Sequence, residues 1–493
     1  MVPQVPQAAD IIRVLPEILW CGFAVLLMLL QPFLKNRQWL TFFAMSGAAL
    51  GTLSTFYGQL HGLTGSGFFG LIEFDTYSLF FHWLLGLVAF LVILASDSYL
   101  ERENLAPAEF YALILFATAG MGVLASAQEL LTAFIGLEMS SISSYVLAGY
   151  RRDSVKSSES AVKYFLLGSF ATAFFLYGIA LVYGATGSTN LAQIAGADPN
   201  SNLLRLGLSL MLVGLGFKVA VAPFQIWTPD VYEGAPTPVT ALFAAGPKAA
   251  TFALLLRIFS TIHAATDFWF WAFWILAVAT MFVGNLGAVV QTNVKRMLAY
   301  SSIAHAGYTL VAFAAVTYLK NDSENGASAA YAAILFYLLG YALVKVGAFT
   351  IVSEIGGQGE RHLTLDDFAG LGTRQPYAAA AMTVFMLSLL GMPITAGFFG
   401  KFYVFKAAIN SKLIWLAVLM TINSVIGVYY YLRLIVVMYM REHQGDVPAD
   451  SAKSLSPTAA MVVVVTVAAT IYLGLFPNHV LGIVLSQNLF SSR

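Results

Sequence analysis

Apolar runs alternate along the chain with short polar connections, and a helix needs about 20 mostly apolar residues to cross a bilayer. The pattern predicts helices over 14–33, 38–58, 76–98, 108–126, 129–149, 159–184, 203–227, 237–262, 269–290, 297–316, 327–353, 377–407, 412–440 and 457–478. No connection is long enough for a soluble domain. The expected fold is an all-α polytopic membrane protein with about 14 transmembrane helices. No basic region precedes the first apolar run, so that run reads as a retained helix rather than a cleavable signal.

Parts of the pattern recur. "SSYVLAGY" (143–150) and "SSIAHAGY" (301–308) agree at five of eight positions. "YFLLG" (164–168) matches "FYLLG" (336–340), and Pro223 in the seventh helix has a counterpart in Pro393 of the twelfth. The matches keep their order. They predict N-terminal helices 1–3 (1–107), a five-helix repeat of helices 4–8 (108–262), a second repeat of helices 9–13 (263–440) and a C-terminal helix 14 (441–493). Five is odd, so the second copy enters the membrane inverted. Inverted repeats with discontinuous helices are a transporter pattern, with the working site near the midplane. Proline removes a backbone donor and clashes one turn back, so Pro223 and Pro393 predict a break or a kink. "GMPITAGFFGK" adds three glycines to Pro393, and helices 7 and 12 are expected to be discontinuous.

Composition excludes a water-soluble fold. Of 493 residues, 59% are hydrophobic and 10% charged, with mean hydropathy +0.78, whereas soluble domains carry roughly 25% charged residues. Net charge is zero, so no polybasic footprint points to nucleic acid. Cys21 stands alone, which rules out an internal disulfide and a cluster ligated by this chain only. Loop charges are uneven. Lys35, Arg37, Arg102, Arg151, Arg152, Lys156, Lys295, Arg296, Arg361, Arg374, Arg441 and Lys453 fall on one side; Arg13, Arg205, Lys320, Lys412 and Arg493 fall on the other. The positive-rich side is expected to be cytoplasmic, with both termini on the opposite face.

Five charges interrupt the apolar runs: Glu138, Lys218, Lys248, Lys345 and Lys401. Facing lipid unpaired, they would cost on the order of 12 kcal/mol together. They are expected to face the bundle interior, water or one another. A lysine whose carboxylate partner approaches and withdraws is a proton switch; Glu138 with Lys218 fits that reading, and a static ion pair between two helices is the plainer one. Lys163 lies near a helix end, where it can snorkel or pair with Glu159 four residues earlier. His305 inside helix ten suits a relay or a satisfied core position. His82 and Glu17 read as packing or interface residues.

"GSGFFG" (65–70) matches GxGxxG, but no strand precedes it and no acidic residue closes a βαβ unit. Walker-A, HExxH, CxxC and GxSxG patterns do not occur, and the scattered histidines suggest no haem ligation.

"FQIWTPDVYEGAPTPVTAL" (224–242) and "QTNVKRMLAYSSIAHAGY" (291–308) resemble signatures of the proton-translocating subunits of respiratory complex I and the related Mrp-type antiporters. The resemblance covers about residues 70–440 and is greatest to the N type of bacterial NADH–quinone oxidoreductase subunit, on Lys401, on the ending after helix 14 and on "SSIAHAGY". It implies a non-redox translocase subunit without a cofactor of its own. FMN, iron–sulfur clusters and quinone would sit in partner subunits, and the partners would be other membrane-arm subunits in the cell inner membrane. By resemblance, Glu138 and Lys218 belong to a first half-channel, Lys248 to a central connector and Lys401 to a second half-channel. Lys163 matches a family lysine in helix six, and Lys345 and His305 extend the central polar axis. A cation/proton antiporter subunit of Mrp type is the alternative.

Overall fold

The computed structural model describes residues 6–34, 36–198, 200–262, 266–319, 324–442 and 454–486. Lys35, Lys320, Lys453 and Arg493, used above to orient the chain, lie outside the described residues. Each predicted segment holds a helix: α1 (Leu15–Leu30), α2 (Arg37–Leu60), α3 (Thr76–Arg102), α4 (Pro107–Ser126), α5 (Leu130–Ala148) and α6 (Val155–Thr186). Then come α7a (Asn202–Val219) and α7b (Trp227–Gly234), α8 (Thr237–Thr261), α9 (Thr266–Val289), α10 (Val294–Leu319) and α11 (Glu324–Gly356). The last are α12a (Pro376–Leu390) and α12b (Ala396–Asn410), α13 (Ile414–Met440) and α14 (Pro457–Leu475). Among the described residues, 12 helices are long and apolar enough to cross a membrane, and α1 and α12a are shorter apolar helices. The expected number of 14 therefore does not follow from length and composition alone. A long helix, an interrupted helix and another long helix occur in that order twice, as α6–α7–α8 and α11–α12–α13.

The "GSGFFG" stretch is not a plain loop. Gly65–Gly67 pairs antiparallel with Ile72–Phe74 in a small hairpin, which lacks the parallel crossover that a dinucleotide site needs. Asp75 follows it and starts α3, its Oδ1 accepting from the Ser78 backbone N–H at 2.8 Å while the Ser78 hydroxyl takes the Asp75 N–H at 3.0 Å. This reciprocal capping satisfies two donors left open at a helix start.

Burial sorts the helices into layers. The spanning window of α8 is 100% buried and those of α10 and α11 are 94% buried, whereas α6, α9, α13 and α14 bury only 39%. The outer helices turn large apolar side chains outward, among them Phe165, Phe170 and Tyr177 on α6, as a surface solvated by lipid tails requires. The central helices are built for close packing: "TPVTALFAAGPKAATFALLL" in α8 is rich in Ala, Gly and Thr, and small residues let backbones approach. The three most enclosed helices carry Lys248, His305 and Lys345.

Candidate functional site

The first site lies at the end of α7a. Ala220 adopts a left-handed conformation (φ 60°) and terminates the helix, and the chain stays non-helical until α7b. The freed backbone groups find partners inside the protein. Ala222 N–H donates to Thr280 Oγ1 at 2.9 Å, and the Phe217 carbonyl accepts from Trp227 Nε1 at 2.9 Å. Lys218, 4% exposed, stands in the last turn of α7a. Its Nζ donates to the Tyr145 hydroxyl at 3.1 Å and lies 4.9 Å from the Tyr145 ring centroid and 5.3 Å from that of Tyr164. Aromatic faces attract a desolvated cation by about 2 kcal/mol or more.

The expected ion pair with Glu138 is absent. Among the described residues no ion pair joins the two side chains; Lys218 bonds Tyr145 instead, and the buried Oε1 of Glu138 has no hydrogen-bond partner. Helix spacing explains part of this: Glu138 and Tyr145 are two turns apart on one face of α5, and the tyrosine is the residue that reaches the ammonium. A cavity of about 10 Å³ adjoins Lys218, lined by Ser140, Ser144, Tyr164, Pro247 and Thr251 among others. That volume is close to the minimum for one water, and its far wall is α8, one residue from Lys248.

The central site joins α8, α10, α11 and α13. Lys248 Nζ donates to Ser302 Oγ at 2.6 Å and to the Ser302 carbonyl at 3.0 Å, and Ser302 Oγ contacts the Tyr341 hydroxyl at 2.6 Å. Lys345 Nζ donates to Ser301 Oγ at 3.0 Å and to the Leu298 carbonyl at 2.8 Å. Ser301 Oγ contacts the Tyr431 hydroxyl at 2.6 Å, and that hydroxyl lies 3.1 Å from His305 Nε2. His305 Nδ1 in turn lies 2.6 Å from the Tyr337 hydroxyl. Serine and tyrosine hydroxyls and a neutral imidazole each donate and accept. The five-membered chain from Lys345 to Tyr337 can therefore shift a proton by exchanging roles at each link.

The third site is the break between α12a and α12b. Gly391 (φ 96°) ends α12a in a conformation that costs a side-chain-bearing residue roughly 1–2 kcal/mol. Lys401, one turn into α12b, reaches back so that its Nζ donates to the Leu390 carbonyl at 2.9 Å and to Ser424 Oγ at 2.9 Å. The ammonium thus occupies the negative end of the α12a dipole. It also lies 4.9 Å from the Tyr308 ring centroid. No direct hydrogen bond links Lys401 to the central chain among the described residues. Beside the central chain is a second cavity of about 10 Å³, lined by His305, Tyr337, Tyr341, Gly397 and Gly400, the chain neighbour of Lys401, among others.

Lys163 belongs to none of these sites. Its Nζ pairs with Glu159 Oε1 and Asp230 Oδ2, both at 2.6 Å, with the side chain 39% exposed. Asp230 also binds Arg296 at 2.6 Å, and Arg296 binds Glu233 at 3.0 Å. Beside this rim, Glu360 takes Lys295 Nζ at 2.9 Å on one oxygen and the Thr237 N–H and hydroxyl, each at 2.7 Å, on the other. Burial alone would raise the Glu360 carboxyl; Lys295 and the Thr237 donors outweigh it and hold the carboxyl below the usual value. Arg102, Arg151, Lys156, Lys295 and Arg296, read from the sequence as one positive-rich side, converge in these ion pairs or adjoining ones.

The sequence reading missed the hydroxyl and aromatic partners: Tyr145, Ser301, Ser302, Tyr308, Tyr337, Tyr341, Ser424 and Tyr431. One signal was available, since "SSYVLAGY" and "SSIAHAGY" hold four of them: Tyr145, Ser301, Ser302 and Tyr308.

A family model described as "NADH:quinone oxidoreductase/Mrp antiporter, TM" matches residues 127–427. NADH-quinone oxidoreductase subunit N 1 of Solibacter usitatus is 49% identical over 479 residues, 96% of each chain. A chain of respiratory complex I from Thermus thermophilus superposes with TM-score 0.78 at 37% identity, covering 95% of this chain and 98% of that one. A chain of the Mrp complex from Dietzia shares the fold, with TM-score 0.83 at 21% identity over 98% of both chains. Family match, near-full-length identity and the enclosed lysines agree: the chain belongs to the NADH:quinone oxidoreductase/Mrp antiporter family, in its subunit N branch.

Proposed function

We propose that this antiporter-like membrane subunit moves protons across the bilayer through Glu138, Lys218, Lys248, Lys345, His305 and Lys401, driven by quinone reduction in partner subunits of complex I. The observation that carries the reading is the buried relay itself. Lys248 and Lys345, bonded to serine hydroxyls inside the most enclosed helices, and Lys218, bonded to the Tyr145 hydroxyl, are expensive in a membrane and have no packing virtue that apolar residues would not supply. The single-water cavities flank the relay at Lys218 and beside Gly400, where the helix breaks admit backbone polarity. Glu138 acts through the region around Lys218 rather than by direct pairing; changing its charge alters the field at Tyr145 and the ammonium. Lys163 at the ion-paired rim adjusts the field near α7b through Asp230.

The chain carries no redox step in this reading. Electron transfer belongs to partner subunits holding FMN, iron–sulfur clusters and quinone. Inverted five-helix repeats, 108–262 and 263–440, account for the recurring α6–α7–α8 and α11–α12–α13 order. The subunit resides in the cell inner membrane, with both termini on the non-cytoplasmic face. The near-full-length identity to a subunit N favours complex I over an Mrp-type assembly; gentle purification decides, since only complex I copurifies a flavin-containing peripheral arm.

Lys218→Ala and Lys401→Ala, each in the assembled complex in native membranes, test the roles. NADH-driven proton pumping is expected to fall at least tenfold with assembly intact. A variant that assembles and pumps at wild-type rate and stoichiometry removes that lysine from the path.

A further inference from the structure

A second buried titratable pair lies outside the lysine relay. Glu17 on α1 is 7% exposed and His82 on α3 is 0% exposed. His82 Nε2 lies 2.6 Å from Glu17 Oε1, and His82 Nδ1 lies 2.6 Å from the Ser78 carbonyl oxygen. A carbonyl only accepts, so Nδ1 carries a hydrogen. That fixes what Nε2 can be. Either Nε2 is also protonated and donates to a carboxylate, or it is bare and accepts from a carboxylic acid. With neither proton present, two lone pairs would face each other at 2.6 Å with no water between them.

We infer that Glu17 and His82 form a proton-binding site in the N-terminal helices, holding one proton shared between carboxyl and imidazole. Both arrangements of that proton leave the pair neutral overall, which is what an apolar interior tolerates. Removing it leaves one uncompensated buried charge. The surroundings close the site. Trp20 stacks on the imidazole at 5.9 Å with 13° between planes. A Cβ at Gly122 of α4 would come within 2.8 Å of Glu17 Oε1 and 3.2 Å of His82 Nε2, so only glycine lets α4 pack there. The second Glu17 oxygen, Oε2, is buried without a hydrogen-bond partner.

The other ionisable groups facing the pair are few. Cys21 stands one turn further along α1, and Asp75 caps the start of α3. Asp75 is itself held by Arg257 of α8 at 3.1 Å. Where α4 covers the pair it presents Gly122, and where α2 meets Trp20 it presents Gly51. Among the described residues no group of three His, Cys, Asp or Glu side chains gathers here for a metal.

The full chain, labelled with ¹⁵N-histidine and reconstituted in lipid nanodiscs, tests this by NMR. The seven histidines are resolved by assigning His82 through its loss in His82→Gln. The wild-type protein is expected to show His82 Nδ1 protonated throughout pH 6–8, with a low-field proton signal from the Nε2–Oε1 bridge. Glu17→Gln, whose amide N–H replaces the shared proton as donor to Nε2, is expected to lose that signal. Absence of the low-field signal in the wild type overturns the proposal, as does a His82 ring that titrates identically in wild type and Glu17→Gln. If Glu17→Gln does not reconstitute, the wild-type signal decides alone.

Discussion

Lys218 shows how a membrane chain keeps a cation without a counter-charge. It has the Tyr145 hydroxyl at 3.1 Å and two tyrosine faces, and those three contacts replace the carboxylate expected from the sequence. A hydrogen bond to a charged group is worth about 1.5–3 kcal/mol, and 1.36 kcal/mol is tenfold in rate. Tyr145→Phe keeps the ring and removes the hydroxyl, so NADH-driven pumping is expected to fall roughly tenfold or more in assembled complex. Tyr145→Leu removes the ring as well and is expected to fall further. Dye-reported acidification of inverted membrane vesicles measures both, and wild-type pumping by Tyr145→Phe would detach that hydroxyl from the proton path. The contrast also marks what the sequence discloses. A lysine within an apolar run stands out because the solvent penalises it, so Lys218, Lys248, Lys345 and Lys401 were legible. Ser302 and Tyr341 were not, because hydroxyl side chains satisfy themselves on their own helix turn, as Thr251 does on the Pro247 carbonyl at 2.7 Å. Which ones point across a helix interface depends on packing.

Three prolines test the element-scale reading. Pro223 and Pro393 lie in true breaks, whereas Pro247 sits inside a continuous α8. The difference is the backbone beside them. Ala220 at φ 60° and Gly391 at φ 96° are left-handed, and no residue of α8 has a positive φ. A proline removes one donor; a left-handed residue turns the chain out of the helix. Gly391 was legible through its neighbours in "GMPITAG", and Ala220 was not, since alanine favours the helix it terminates here. Gly391→Ala is expected to destabilise by roughly 1–2 kcal/mol through its positive φ. Its Cβ would also come within 3.1 Å of Lys401 Cδ and displace that side chain. Thermal unfolding of the reconstituted chain should show the loss, and pumping should fall with it. Unchanged pumping at reduced stability would show that the ammonium's seat on the Leu390 carbonyl is dispensable.

At the scale of the molecule, α8 is bonded to α10 through Lys248 and Ser302, and Glu360 holds the two helices from one end. It lies between α11 and α12a, yet one oxygen caps Thr237 at the start of α8 while the other pairs with Lys295 at the start of α10. The helix carrying Lys248 is thereby fixed against the helix carrying its acceptor, Ser302. Nothing in the sequence near "GGQGERH" announces this, because the partners are 65 and 123 residues away. The same geometry sets a pH dependence. The folded carboxyl is held below its usual value by Lys295 and Thr237 against the opposing effect of burial. A group depressed in this way stabilises fully above its unfolded pKa, about 4.3 for glutamate, and loses that contribution as pH falls through the lower folded value. The unfolding temperature of the wild-type chain in nanodiscs is therefore expected to drop more between pH 5 and pH 3 than that of Glu360→Gln. At neutral pH the wild type is expected to be the more stable of the two: Glu360→Gln strands the buried Lys295 ammonium, and breaking a buried pair costs about 3–5 kcal/mol. Parallel pH profiles for the two proteins would mean that Thr237 and Lys295 are held by packing, and that the alignment of Lys248 with Ser302 does not depend on this carboxylate.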